Sequence, residues 1–409
     1  MAAAVRMFRF LAVLLVTASM LNPVSSEAVS DVGHAVTDPE PPQPQWDSGT
    51  WRELRDDFDW RFKAVGFGVI QQPEDSSLNP GNLLQVPHYE TELDLRPDFS
   101  LKFRQVELSV KPRLELKWMG WEDGTVDGKT DTDGDLFINE WLARFMVTEK
   151  LFVSYGRENL QWGPSFLISP SNPFTQDNGK NNPERELSGL DYARAIWIPD
   201  PSWTVSFIAN TNEGRKKFLD GFKRAHALKL DYTGNKKYFS LIPCFNESGN
   251  FALGSLGGWS ASDAWLIYAE GSIKDSQGTS ILVGQSYTLE IGPTLTFEYY
   301  HNARGCTESS IQDCFPRFGG HSNRDDLLFR DNYIMLQFMN TRIKNLLNVI
   351  LRWIWDMDDG SSRSVAIVEY ELGNHVKLFT TGDCFFGNKE SEFGSLMNYS
   401  LMIGAEYNF

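Results

Sequence analysis

From Trp60 onward, apolar and polar side chains alternate almost one for one in short runs broken by turn residues. The clearest run is Val106–Trp118. There every even position is apolar, Pro112 included, and every odd position is polar or charged. A period of two is the signature of a strand with two unlike faces. Five charged groups on one face are too many for a soluble sandwich and suit a wall with lipid outside and water inside. The same pattern predicts strands over 60–71, 88–99, 101–118, 138–148, 151–162, 190–198, 203–212, 223–233, 238–247, 251–260, 264–274, 281–291, 294–303, 331–342, 346–356, 364–372, 375–386 and 395–409. The fold class expected is therefore all-β: a transmembrane antiparallel β-barrel of about 18 strands, with 16 as the neighbouring solution.

The connections alternate between tight turns and long segments. Glu149-Lys150, Gly292-Pro293 and Gly373-Asn374 are tight; 72–87, 119–137, 163–189 and 304–330 are long. Short turns at one rim and long loops at the other are the barrel pattern. Aromatic residues gather at strand ends, among them Trp118, Trp203, Trp353 and Trp355, where interfacial girdles would put them. Proline at 112, inside a strand, is the one objection in the pattern.

The last strand repeats the theme. Tyr399, Leu401, Ile403, Ala405, Tyr407 and Phe409 form its greasy face; Asn398, Ser400, Gly404, Glu406 and Asn408 form its wet one. An alternating strand that ends on Phe resembles the carboxy-terminal signature of Gram-negative outer-membrane barrels, with Tyr407 and Phe409 as the part read by the barrel-assembly machinery.

The 409 residues carry a formal charge of −16, and no internal run is long and apolar enough for a membrane helix. Residues 1–26 have the basic start (Arg6, Arg9), short apolar core and small residues of a secretory signal peptide. Residues 27–56, with Pro39 through Gln45, are expected to be a flexible periplasmic linker, which leaves 57–409 for the barrel. The acidic balance and the lack of a basic stripe exclude a nucleic-acid partner. Cys306 and Cys314 sit close together in a polar segment and are expected to form a disulfide in an oxidising compartment. Cys244 and Cys384 fall in strand-like runs and read as small apolar residues.

Three stretches carry a family resemblance: Tyr155-Gly-Arg-Glu-Asn-Leu-Gln-Trp-Gly-Pro164, Ser169-Pro-Ser-Asn-Pro-Phe174 and Asn182 through Asp191. The Gly-Arg-x-x-x-x-Trp-Gly segment is similar to a strand-to-loop stretch of porin-like barrels, uncharacterised proteobacterial proteins related to alginate-export porins. The resemblance covers about 40 residues and implies an outer-membrane channel without naming its solute.

No nucleophile elbow, zinc-protease helix or phosphate loop is present, so an enzyme is not expected. The functional candidates are charges on the inward face of the strands. They are Glu92, Asp94, Arg96, Glu107, Lys111, Arg113, Glu115, Glu140, Arg144, Arg194, Glu298, Arg352, Glu369, Glu371, Lys377 and Asp383. Facing rows of acid and base sort solutes by charge, although cross-strand pairing alone would also explain many of them. The segment 163–189, bearing Asp177, Lys180, Glu184, Arg185 and Glu186, is expected to fold into the lumen as a constriction loop. Asp131, Asp133 and Asp135 lie at alternate positions like the first ligands of a calcium loop, but Leu136 and Leu142 stand where the turn Gly and bidentate Glu belong. No other cofactor is suggested.

These readings converge on passive passage of small hydrophilic solutes through a charged lumen. Export of an anionic polysaccharide, a structural sleeve around a periplasmic partner and a channel for hydrophobic compounds remain as alternatives. Outer-membrane lipid surrounds such a barrel, and a homo-oligomer is compatible with its size.

Overall fold

The computed structural model describes residues 55, 57–216, 222–275, 278–318, 328–344 and 346–409. The expected signal peptide and, apart from Arg55, the expected linker lie outside the described residues.

Eighteen strands form one antiparallel sheet. They are β1 (Phe58–Pro73), β2 (Tyr89–Phe103), β3 (Val106–Gly120), β4 (Thr130–Thr148), β5 (Leu151–Glu158), β6 (Leu190–Asp200), β7 (Trp203–Asn212), β8 (Ala225–Gly234) and β9 (Lys237–Asn246). The chain continues through β10 (Phe251–Ser260), β11 (Trp265–Lys274), β12 (Gly278–Thr288), β13 (Thr294–Asn302), β14 (Asn332–Ile343), β15 (Leu347–Asp356), β16 (Ser362–Leu372), β17 (Val376–Phe386) and β18 (Met397–Asn408). Each strand pairs with the next, and β18 returns to β1 with Lys63 opposite Asn408 and Ile70 opposite Leu401. The sheet thus closes without an edge, and its backbone groups are satisfied within the wall. One short helix, α1 (Ile311–Phe318), lies in the β13–β14 connection. No helix among the described residues is long and apolar enough to cross a membrane.

The alternation sorts the wall into two faces. Outward positions such as Leu93, Phe207, Ile281 and Leu336 are exposed, whereas their strand neighbours are buried. A continuous exposed apolar belt is costly in water and favourable in hydrocarbon. The 18-strand transmembrane barrel read from the pattern is the fold observed.

Several boundaries differ from expectation, each for a physical reason. The β2–β3 turn falls at Arg104-Gln105, where Arg104 takes a positive φ of 52°, so β2 runs on to Phe103 and β3 begins at Val106, later than the expected 101. The acidic stretch 130–137 is strand, not loop. Asp131, Asp133 and Asp135 lie opposite Met119, Lys117 and Glu115 of β3, in a hairpin that continues the wall with a wet inner face. Strand β5 stops at Glu158, because Leu160 and Trp162 turn inward to pack on an apolar patch of the wall. Pro112 stays in β3 because a bulge there absorbs its missing N–H. The bulge gives Asn139 and Glu140 of β4 the same inward side, which reverses the parity of that strand.

All the long connections lie at one rim: 74–88, 121–129, 159–189, 213–224, 303–331 and 387–396. The last of these, and 213–224, escaped the sequence reading. Three of them are tied together. The Ser76 hydroxyl donates to the Ser395 carbonyl (2.5 Å), Lys389 pairs with Glu74 (2.8 Å) and the Ile311 amide donates to the Glu390 carbonyl (2.8 Å). Cys306 and Cys314 are joined as a disulfide within this assembly, over a small core with Ile311, Leu78 and Phe329. Of the other two cysteines, Cys244 is buried on the inward side and Cys384 is exposed on the outward side.

Candidate functional site: a loop bonded across the lumen

The segment 159–189 makes direct bonds to β2, β3, β4, β11, β13, β15 and β17. No loop outside a closed barrel could reach seven strands so spread around its circumference, so this one occupies the bore.

Its first arm is gripped by two acids of the wall. Glu270 on β11 accepts hydrogen bonds from the hydroxyls of Ser169 (2.9 Å) and Ser171 (2.8 Å) and from the Ser165 hydroxyl and amide. Gly163, at a φ of +94°, passes so close that a Cβ there would meet both Glu270 oxygens at 2.7–2.8 Å. Glu298 on β13 accepts from the consecutive amides of Phe166 (2.7 Å) and Leu167 (2.8 Å) and from the Tyr268 hydroxyl (2.6 Å). Both carboxylates are buried and take their direct hydrogen bonds from neutral donors, with the Lys180 ammonium near enough to act on both through space. Apolar packing completes this side. Phe174, Leu160 and Trp162 cover Tyr192, Ile208, Ile242 and Leu256, while Leu167 and Ile168 cover Tyr268, Leu282 and Tyr300.

The second arm is held by charge. Arg113 on β3 makes a bidentate bond to Glu186 (2.6 and 2.9 Å) and also reaches Asp98 (2.8 Å). Asn139 adds a bond to the same Glu186 oxygen (3.2 Å). Burial alone would push the Glu186 carboxyl up; Arg113, helped by Arg96 and Lys111, more than offsets that and holds it below the ordinary carboxylate range. Arg96 donates to Asp94 (2.7 Å) and to the Glu184 carbonyl (2.9 Å). Lys377 on β17 links Glu184 (3.1 Å), Glu369 (2.8 Å) and Glu406 (3.5 Å). Burial nevertheless pushes the Glu184 carboxyl up.

Between the arms, Arg352 on β15 bonds the Asn181 side chain and the Lys180 carbonyl (3.2 Å) while Gln337 orients it (2.6 and 2.9 Å). The Lys180 ammonium turns back onto the Ser165 carbonyl (2.6 Å) and lies over the Phe166 ring; burial pushes it down. The Asp177 carboxylate accepts the Gly179 amide (2.8 Å) in a local turn.

The remaining candidates line the wall in cross-strand pairs. Arg144 meets Glu107 (2.8 Å), Lys111 meets Glu140 (3.1 Å), and Arg194 meets Glu158 (2.8 Å). Arg363 meets Asp383 (2.6 Å), and Lys117 bridges Glu92 (3.1 Å) and Glu115 (2.5 Å). Glu371 lies exposed near the short-turn rim. Of the aspartates considered for calcium, Asp135 pairs with Arg215 (3.0 Å), and Asp131 and Asp133 accept the amides of the residues that follow them. The extended strand spaces these three along one face instead of curling them round a point. Phe379 and Met402 do face inward, where they form a small apolar cluster with Val65, Phe67 and Val69.

The sequence reading missed the serines at 165, 169 and 171, as well as Asn139, Asn181 and Tyr268. All are neutral, and their partners lie far away in the chain. Three serines spaced among prolines, beside an excess of inward acids, was the available signal.

Two cavities border the loop. One, of about 410 Å³, opens toward the long-loop rim among Leu167, Ile168, Leu328, Ile354, Phe393, Arg185 and Arg363. The other, of about 170 Å³, is lined by Glu92, Asp94, Arg96, Arg113, Glu115, Lys117, Arg185 and Glu186.

No family model matches the sequence, and no curated protein matches it. Solved structures do. OccK7 (OpdD) of Pseudomonas aeruginosa is similar over 86% of this chain and 99% of its own, with 10% identity and a TM-score of 0.58. OprD of the same organism is similar over 87% and 95% (10% identity, TM-score 0.55). OccAB3 of Acinetobacter baumannii is similar over 87% and 99% (10% identity, TM-score 0.55). The chain therefore has the fold of outer-membrane porins.

Proposed function

We propose that this chain is an outer-membrane channel for diffusion of small hydrophilic solutes. The observation that carries this reading is the loop 159–189: it is bonded across the bore and leaves charged cavities between itself and the wall. A packed plug would bury apolar side chains on both arms; here one arm is dry and the other is bordered by ion pairs. Charge in a water-filled lumen costs little, whereas an Arg or Lys facing lipid at mid-depth costs about 2–4 kcal/mol. The inward rows thus suit a wet path, with Asp177, Lys180, Glu184, Arg185 and Glu186 on the loop and Glu92, Asp94, Arg96, Arg113, Glu115 and Lys377 on the wall as its lining. A polymer conduit or a sleeve around a partner would need an unobstructed bore, so the crossing loop favours small solutes. The short-turn rim faces the periplasm in this reading. Tyr407 and Phe409, the latter packed on Trp60 at 5.4 Å, form the strand recognised during assembly.

The test is single-channel recording of the purified protein in planar bilayers with a salt gradient. Discrete steps with weak charge selectivity are expected, since acids and bases are nearly balanced along the two cavities. Absence of conductance would overturn the proposal.

A further inference from the structure

We infer that Arg185 is the specificity-determining gate of this channel, an assignment that rests on the channel reading above. Arg185 lines both cavities, the larger half-apolar one toward the long-loop rim and the smaller charged one behind it. Its guanidinium therefore stands at the partition between them. Its backbone is fixed, because the neighbouring Glu184 carbonyl is held by Arg96 and the Glu186 side chain by Arg113. The side chain is held far more lightly. It donates to Glu90 on β2 (2.7 Å) and lies 5.5 Å over the Phe67 ring, with 41% of its side-chain surface exposed.

The contrast with its neighbours is what singles it out. Arg113 has two acids and two carbonyls, and Lys377 has three acids. A single ion pair whose cation keeps access to water holds its side chain only weakly. Arg185 can leave Glu90 without unfolding the loop, and the partition then opens. A passing anion gains the guanidinium that Glu90 releases; a passing cation gains Glu90 and must pass the guanidinium. The gate thus carries one charge of each sign, and removing either should bias passage in opposite directions.

The experiment compares wild type, Arg185→Ala and Glu90→Gln in planar bilayers under a potassium chloride gradient. Both variants remove the pair and should raise conductance, by about twofold for a one-residue neck. Their reversal potentials should move in opposite senses, Arg185→Ala toward cations and Glu90→Gln toward anions. Arg185→Lys should stay near wild type in selectivity. A variant that merely loosened the fold would not reverse the sign. Wild-type conductance with no change in either variant, or with shifts of the same sign, would overturn the gate and leave the channel standing. A silent wild type would overturn the channel itself, and the gate with it.

Discussion

The loop crossing the lumen is held in two chemically different ways. On the β11–β13 side, two buried carboxylates, Glu270 and Glu298, meet serine hydroxyls, backbone amides and a tyrosine. On the β2–β3 and β17 side, Arg96, Arg113 and Lys377 meet loop carboxylates and carbonyls at positions that keep some access to water. The first side is dry and backed by apolar clusters. The second borders the smaller cavity, while the larger lies between the arms, with Leu167 and Ile168 of the first arm in its lining. A neutral clamp in a dry site is strong because each orphaned partner is costly. An ion pair near water is weaker and adjustable. The barrel therefore holds its loop by a dry clamp on one wall and by adjustable ion pairs on the other.

The largest effect should come from the dry clamp. Glu298→Ala orphans the Phe166 and Leu167 amides and the Tyr268 hydroxyl, at about 1–3 kcal/mol for each buried donor left unsatisfied. The expected outcome is rapid proteolytic cleavage within 159–189 of the folded barrel and noisy, enlarged conductance. Protection equal to wild type would remove the clamp from the account. Arg113→Ala should do less. Glu186 retains about a third of its side-chain exposure, so the loss is discounted to about 1–2 kcal/mol from the larger values of fully buried pairs. Conductance should rise while proteolytic resistance of 163–171 is retained, and loss of both would equate the two sides.

The smallest effect is one of pH. The folded-state carboxyl of Glu186 lies below its unfolded value, so its contribution is complete above the ordinary carboxylate pKa of about 4.3. It is lost as pH falls through the lowered value. In a Glu92→Gln, Glu184→Gln background, which removes two other buried carboxyls beside the passage, conductance should be flat from pH 7 to about 5 and should change only below about 4. In Arg113→Ala, where burial acts on Glu186 without its partner, the change should begin at higher pH.

Fold class and strand number were legible in the sequence because lipid and water impose opposite demands on alternate residues. Leu108 beside Glu107 can be arranged only one way. What stayed hidden was of two kinds. The bulge at Pro112 flips parity in β4, and no single-strand pattern records an extra residue opposite a proline. Aspartates at 131, 133 and 135 suggested a loop because propensity disfavours them in strands, yet the inward face of the hairpin is wet. The clamp was hidden for a different reason. Ser171 and Glu270 are 99 residues apart, and a neutral hydroxyl carries no mark of its acceptor.

The most direct test of the constriction is deletion of 175–186, which removes the charged arm and keeps the serine clamp. Single-channel conductance in planar bilayers should rise clearly above that of the intact chain, with the barrel still folded. An unchanged conductance in a folded barrel would contradict the account.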